Sequence, residues 1–336
     1  MDAGCRLCFH APCFDGIVSC VLALDFLERG EGRKVERLEP VSYEQRETWL
    51  ANSDGPMAVV DYLFHPGAVF WADHHLTTFL SPQARECYEA GRRDRHKRWW
   101  WYDPSASSCA SLLWRGLMDC SYRNLPYEGL VAWADKIDSA TYDSVEEALF
   151  GDVPALRINA GLGLATEQDC VTLVRFLQSH SLNETAELPD VRLRWERSRE
   201  MTRQGLARLA SSVRLLAGDI AVFDVDTSGV MISRYAPYHL HPQARYSVGI
   251  TRSGGSARIT AMRNPWVDFP SVPLGPIFES LGGGGHHRVG TLALAPAVSA
   301  KASQVLAEVL GRIRQEESAL QSGGAVDQAP PVPVTL

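Results

Sequence analysis

The stretch AVFWADHH, residues 68–75, decides the fold. Its first five residues are apolar and it closes on a carboxylate and two imidazoles. A short unbroken apolar run reads as a strand buried on both faces, which is the habit of parallel sheets. Such sheets carry their chemistry just beyond the carboxyl ends of the strands. PMAVVDYL (56–63) repeats the design, with Asp61 at the end of the apolar run. Working outward, CRLCFH (5–10) reads as a first strand, followed by a helix from about Ile17 to Glu28 that Gly30 stops, and KVERLEPV (34–41) as a second strand. WWWY (99–102) reads as an edge strand, and CASLLWRGLMD (109–119) and YEGLVAWADKID (127–138) as helices. The N-terminal part is therefore α/β with a parallel sheet.

The second part of the chain changes character. A charged helical pattern over 191–210 suits a connecting helix. VRLLA (213–217), DIAVFDV (219–225), GVMISRYA (229–236), YSVGITR (246–252) and SARITAMR (256–263) read as strands. PLGPIFESLGGGGHHRVG (273–290) reads as a helix running into a glycine loop, and a last helix lies near Lys301–Glu316. The expected division is a catalytic domain over 1–190, a connecting helix over 191–212, a smaller α/β domain over 213–320 and a disordered, proline-rich tail over 321–336.

A chain of 336 residues is long enough for two cores, and its net charge of −7 argues against capture of long nucleic-acid duplex. No apolar run reaches membrane-spanning length, and the N-terminus lacks the pattern of a secretion signal, so a cytoplasmic enzyme without membrane partners is expected. Cys5 and Cys8 form a C-x-x-C, but a strand sends their side chains to opposite faces, and no second pair follows at zinc-ribbon spacing.

Four clusters carry the chemistry: His10 and Asp15 in HAPCFDG, Asp61, Asp73-His74-His75, and Asp135 in AWADKID. Hard carboxylates mixed with imidazoles at strand ends form a donor set suited to Mn²⁺ or Mg²⁺ and to phosphoryl chemistry. Asp138 competes with Asp135, since residues three apart on a helix share a face. Ser107 and Ser108 read as caps of the helix that follows them.

These segments resemble the DHH phosphoesterases. WADHH is similar to that family's signature, VVD to the motif before it, HAPCFDG to its N-terminal motif and ADKID to its fourth. GGGGHHRVG (282–290) is similar to the glycine loop of the DHHA1 domain, and ITAMRN (259–264) to a strand of that domain. The resemblance implies a divalent-metal phosphoesterase with a DHH domain joined by a helix to a DHHA1 domain. His10 and Asp15 would bind metal, Asp61 would bridge two ions, and His74 and Asp135 would complete the second ion's ligands. Asp73 would orient its neighbours, and His75 would contact the phosphate or the attacking water. Arg263, Gly283, Gly284, Gly285 and His286 would hold the substrate phosphate.

Mn²⁺ is expected first, with Mg²⁺ or Co²⁺ as alternatives; two ions are expected, although one remains open. The sequence departs from the family where Cys13 stands in place of the first motif's leading aspartate; it could be a soft ligand, a spacer or a sign of altered occupancy. The implied activity is hydrolysis of short oligonucleotides or dinucleotides. The alternatives are cyclic dinucleotides, 3′-phosphoadenosine 5′-phosphate, and nucleotide binding without cleavage. Monomer and homodimer both stay open.

Overall fold

The computed structural model describes residues 4–52, 54–92, 99–122 and 126–323. Its first compact unit runs to Met201 and its second begins at Thr202.

The first unit is built on a sheet of five strands, β1 (Cys5–His10), β2 (Val35–Val41), β3 (Met57–Val60), β4 (Ala68–Asp73) and β5 (Trp100–Tyr102). The order is β2-β1-β3-β4-β5 and every pairing is parallel. Strand alternation divides the side chains between two cores. Leu7, Phe9, Ala58, Val60, Phe70 and Ala72 face one, and Cys8, Val59 and Trp71 the other. Cys5 and Cys8 fall in different cores, as strand geometry requires.

The helix α1 (Phe14–Asp25) crosses from β1 toward β2 and continues as a π turn over Phe26–Gly30. Every residue of α1 is buried, so its nearly all-apolar sequence has no solvent face to supply. Its one inward carboxylate far from the sheet edge, Asp25, is satisfied by Arg29 and by the hydroxyls of Tyr122 and Tyr127. On the other face, the connection from β3 to β4 is too short for a helix. Tyr62, Leu63 and Phe64 run back beneath the sheet instead, fully buried, with the Trp71 indole donating to the Tyr62 carbonyl at 3.0 Å. The helix α2 (Pro82–Gly91) leads to the edge strand β5.

The helices α3 (Cys109–Asp119), α4 (Glu128–Asp138), α5 (Val145–Phe150), α6 (Pro154–Leu162), α7 (Glu167–Leu177) and α8 (Leu182–Ala186) follow. Ser108 caps α3, its hydroxyl accepting from the Ser111 amide at 3.0 Å. Then comes the long helix α9 (Pro189–Ala210), within which the division between units falls.

The second unit holds β6 (Arg214–Leu216), β7 (Ile220–Asp226), α10 (Ala236–Leu240), β8 (Tyr246–Ser253), β9 (Ser256–Arg263), α11 (Leu274–Glu279), β10 (Gly284–His286), β11 (Val289–Leu294) and α12 (Ala302–Gly323). The sheet order is β10-β11-β9-β8-β7-β6, with only β7 and β8 parallel. That parallel pair overturns one expectation. GVMISRYA is not a strand but part of the return path from β7 to β8, and it lies against α9, where Gly205 leaves room for the Met231 carbonyl. The helix α12 runs three residues into the expected tail; residues 324–336 lie outside the described residues. Among the described residues no helix is long and apolar enough to cross a membrane.

Candidate metal centre

The carboxyl ends of β1, β3 and β4 bring His10, Asp61 and Asp73-His74-His75 together. Asp61 sits at the middle. It is 1% exposed and takes a left-handed backbone conformation (φ 55°) at the end of β3. His10 Nδ1 is 3.3 Å from Asp61 Oδ2, while His75 Nδ1 and His74 Nε2 are 3.7 and 3.9 Å from Oδ1. Neither Asp61 oxygen accepts a hydrogen bond. A buried, unbonded carboxylate is costly. Burial and the nearby Asp15 push the Asp61 carboxyl well above the usual carboxylate range, against the pull of His10.

His74 has a defined tautomer. Its Nδ1 lies 3.1 Å from the Ala106 carbonyl, which can only accept, so Nδ1 carries the proton. The lone pair of Nε2 then points among Asp138 Oδ2 at 3.3 Å, Asp15 Oδ2 at 3.7 Å and Asp61 Oδ1. A ring nitrogen fixed by a backbone carbonyl, with its opposite nitrogen turned toward carboxylates, is the arrangement of a metal-binding histidine.

Asp73 works through its neighbours. Its Oδ1 accepts from the His74 amide at 2.8 Å and from His75 Nδ1 at 2.8 Å. Burial acts to raise Asp73, but the charge and hydrogen bond of His75 outweigh it and hold the carboxyl below its ordinary value. Burial acts to lower His75, and Asp73 reverses that, lifting it to about 9.

Asp15 has two tasks. Its Oδ2 accepts from the Cys109 amide at 2.7 Å and its Oδ1 from the Ala110 amide at 2.9 Å, so it holds the positive end of α3 while facing His74. Gly16, next to it, is forced: a Cβ there would collide with the His10 carbonyl oxygen. Burial, followed by the charges of Asp138 and Asp15, pushes the Cys13 thiol up to about 12.

At the fourth motif the structure departs from the residue chosen from sequence. Asp135 is taken up by the Ser108 hydroxyl, which donates to it at 2.5 Å, and it lies outside the donor groups. Asp138, a turn later at the end of α4, faces His74 instead. The candidate ligand sets are His10, Cys13 and Asp61; Asp61, His74 and His75; and Asp15, His74 and Asp138. Oxygen and imidazole donors around an unbonded buried carboxylate fit one or two divalent cations. Tyr43, in the turn after β2, was not indicated by any motif; its ring meets His10 edge-on at 5.1 Å.

The second unit gathers its own residues. Register places Met262, Val289 and His286 in one row across β9, β11 and β10, so Arg263 and the glycine segment share an end of the sheet. Arg263 donates to the carbonyls of Asn264 and Phe269 at 2.8 and 3.1 Å and stacks on the Phe269 ring. Gly283 and Gly285 are demanded by the hairpin, where a Cβ would strike the carbonyls of Thr291 and Val289. Gly284 has open space above it. The backbone of His286 lies in β10, and its side chain lies outside the described residues. Tyr238 is a packing residue, its hydroxyl donating to the Met262 carbonyl at 2.6 Å.

No family model matches the chain, and no curated protein matches it. Solved structures do. A pGpG-specific phosphodiesterase, PggH of Vibrio cholerae, superposes with a TM-score of 0.64 at 18% identity, over 91% of this chain and 99% of its own. RecJ of Thermus thermophilus, solved with Mn²⁺, gives 0.54 at 18% identity over 91% of this chain and 52% of its own. A DHH domain from a member of the S1p family of ribosomal proteins gives 0.54 at 12% identity over 92% and 86%. The chain thus has the fold of the DHH proteins that its WADHH and GGGGH segments resemble.

Proposed function

We propose that this chain is a divalent-metal phosphodiesterase acting on short nucleotide substrates. The observation that carries the reading is Asp61, buried without a hydrogen bond and ringed by three imidazoles, with Asp15 and Asp138 facing one of them. One or two ions held there, Mn²⁺ first among them, would supply Lewis acidity and neutralise charge developing on the phosphoryl oxygens. Asp61 is the bridging ligand, His10 and Asp15 belong to separate sides of it, and His74 and Asp138 complete the second set. His75, anchored through Nδ1 to Asp73, presents its other ring edge to the phosphate or to the attacking water. Arg263, Gly284 and His286 are the proposed phosphate-holding residues of the second unit.

A short linear dinucleotide is the preferred substrate. The net charge of −7 disfavours long duplex, and PggH, which this chain matches over nearly its whole length, is named for pGpG. Cyclic dinucleotides and 3′-phosphoadenosine 5′-phosphate are the competing substrates. Binding without turnover is the second reading, motivated by Cys13 at the first motif.

The test is a hydrolysis screen of metal-stripped protein with Mn²⁺, Mg²⁺, Co²⁺ or Zn²⁺ against these substrates and short RNA and DNA oligomers. Turnover is expected with a linear dinucleotide and to disappear in a folded Asp73→Ala/His74→Ala double variant. Retained turnover in that variant would sink the assignment. Nucleotide binding by calorimetry without metal binding would favour the second reading.

A further inference from the structure

The donors around Asp61 are not of one kind. His10, Cys13 and Asp61 offer a nitrogen, a sulfur and an oxygen within 4.8 Å of one another. Asp15, His74 and Asp138 offer oxygens and a nitrogen within the same radius. Cys13 immediately precedes α1, is half-buried and forms no disulfide. The thiols of Cys5, Cys8 and Cys20 are buried in apolar cores, which accounts for them. Cys13 instead meets a carboxylate with two unbonded oxygens and a buried His10 Nδ1 that has no hydrogen-bond partner.

We infer that the two metal positions of this chain are chemically unequal. The position formed by His10, Cys13 and Asp61 takes a thiophilic divalent ion such as Zn²⁺ or Co²⁺. The position formed by Asp15, Asp61, His74 and Asp138 takes Mn²⁺ or Mg²⁺. This rests on the two-position site proposed above and adds the ligand atoms and ion class of each half. Mixed nitrogen and sulfur donors select the softer ions, whereas carboxylates with one imidazole leave the harder ones competitive. On coordination the S–H bond of Cys13 is replaced by a sulfur–metal bond and the proton leaves to solvent, so no oxidant or reductant takes part. The positive end of α1, which Cys13 precedes, offsets the thiolate charge.

The full chain, stripped of metal, is titrated with Co²⁺ and followed by absorption. Two equivalents are expected to bind, one of them giving a thiolate-to-cobalt charge-transfer band in the near ultraviolet. Cys13→Asp and Cys13→Ser remove the band, and Cys13→Asp lowers the preference for Zn²⁺ over Mn²⁺ at that position by at least about tenfold. Bound Co²⁺ also shields Cys13 of the unaltered chain from alkylation, read by peptide mass spectrometry, which keeps the test decisive if neither variant folds. Two bound equivalents without the band, a band surviving both substitutions, or an unshielded Cys13 overturn the inference and leave the proposed function standing. Absence of any cobalt binding overturns both.

Discussion

Asp61 shows how a single residue can oppose stability for the sake of a site. Its carboxylate is buried, unbonded and carried on a left-handed backbone, a conformation asparagine adopts more readily than most residues. Asp61→Asn is therefore expected to stabilise the metal-free protein by about 1–3 kcal/mol while lowering Mn²⁺ affinity. Paired denaturation and calorimetric titrations check both signs, and a destabilised variant would contradict the account. Asp135 and Asp138 separate in the same way. Asp138→Asn should weaken Mn²⁺ binding by at least about tenfold. Asp135→Asn should leave metal stoichiometry unchanged and cost about 1 kcal/mol through its bond to Ser108. Helical spacing left these two aspartates nearly equivalent in the sequence. What divides them is the direction of approach of α3, a tertiary fact that brings Ser108 to one and His74 to the other.

At the scale of elements, the sheet strands were legible because long apolar runs with polar ends admit few other readings. GVMISRYA was misread because it carries strand-like residues on a path that must return outside the sheet. Local pattern does not say which apolar run enters a sheet and which packs on a helix. Gly16 marks the tightest junction between elements, where α1 leaves the end of β1. Gly16→Ala should cost about 1–3 kcal/mol from overpacking, and it should weaken metal binding too, because His10 is the residue displaced. Loss of stability with unchanged metal affinity would show that the backbone yields elsewhere.

On the scale of the molecule, the two units rest on different physics. The first buries uncompensated charge at its sheet edge; the second is tied by exposed-to-half-buried ion pairs in which Arg314 and Arg245 meet Asp219, and both also meet Glu317. Hydrogen bonding from Arg314, then the Arg314 and Arg245 charges, hold the Asp219 carboxyl below its ordinary value despite partial burial. An acid depressed on folding contributes stability above its unfolded value of 3.8, and the contribution is lost as pH falls through the lower folded value. Asp219→Asn should then cost about 1 kcal/mol at neutral pH, after solvent screening, and almost nothing near about pH 3. An equal penalty at both would mean the pairs contribute by packing alone. The two-part organisation was legible from the change of pattern near the charged helix, whereas the residue at which the contacts divide, inside α9, had no local mark.

Asp15 ties the site to the backbone in a way that can be listened to. The carboxylate that faces His74 also receives the amide protons of Cys109 and Ala110. Any cation that draws electron density from Asp15 weakens its grip on those two protons at once. Their amide resonances are thus a built-in gauge of occupancy, able to report the filling of one half of the centre without a dye, a label or a turnover.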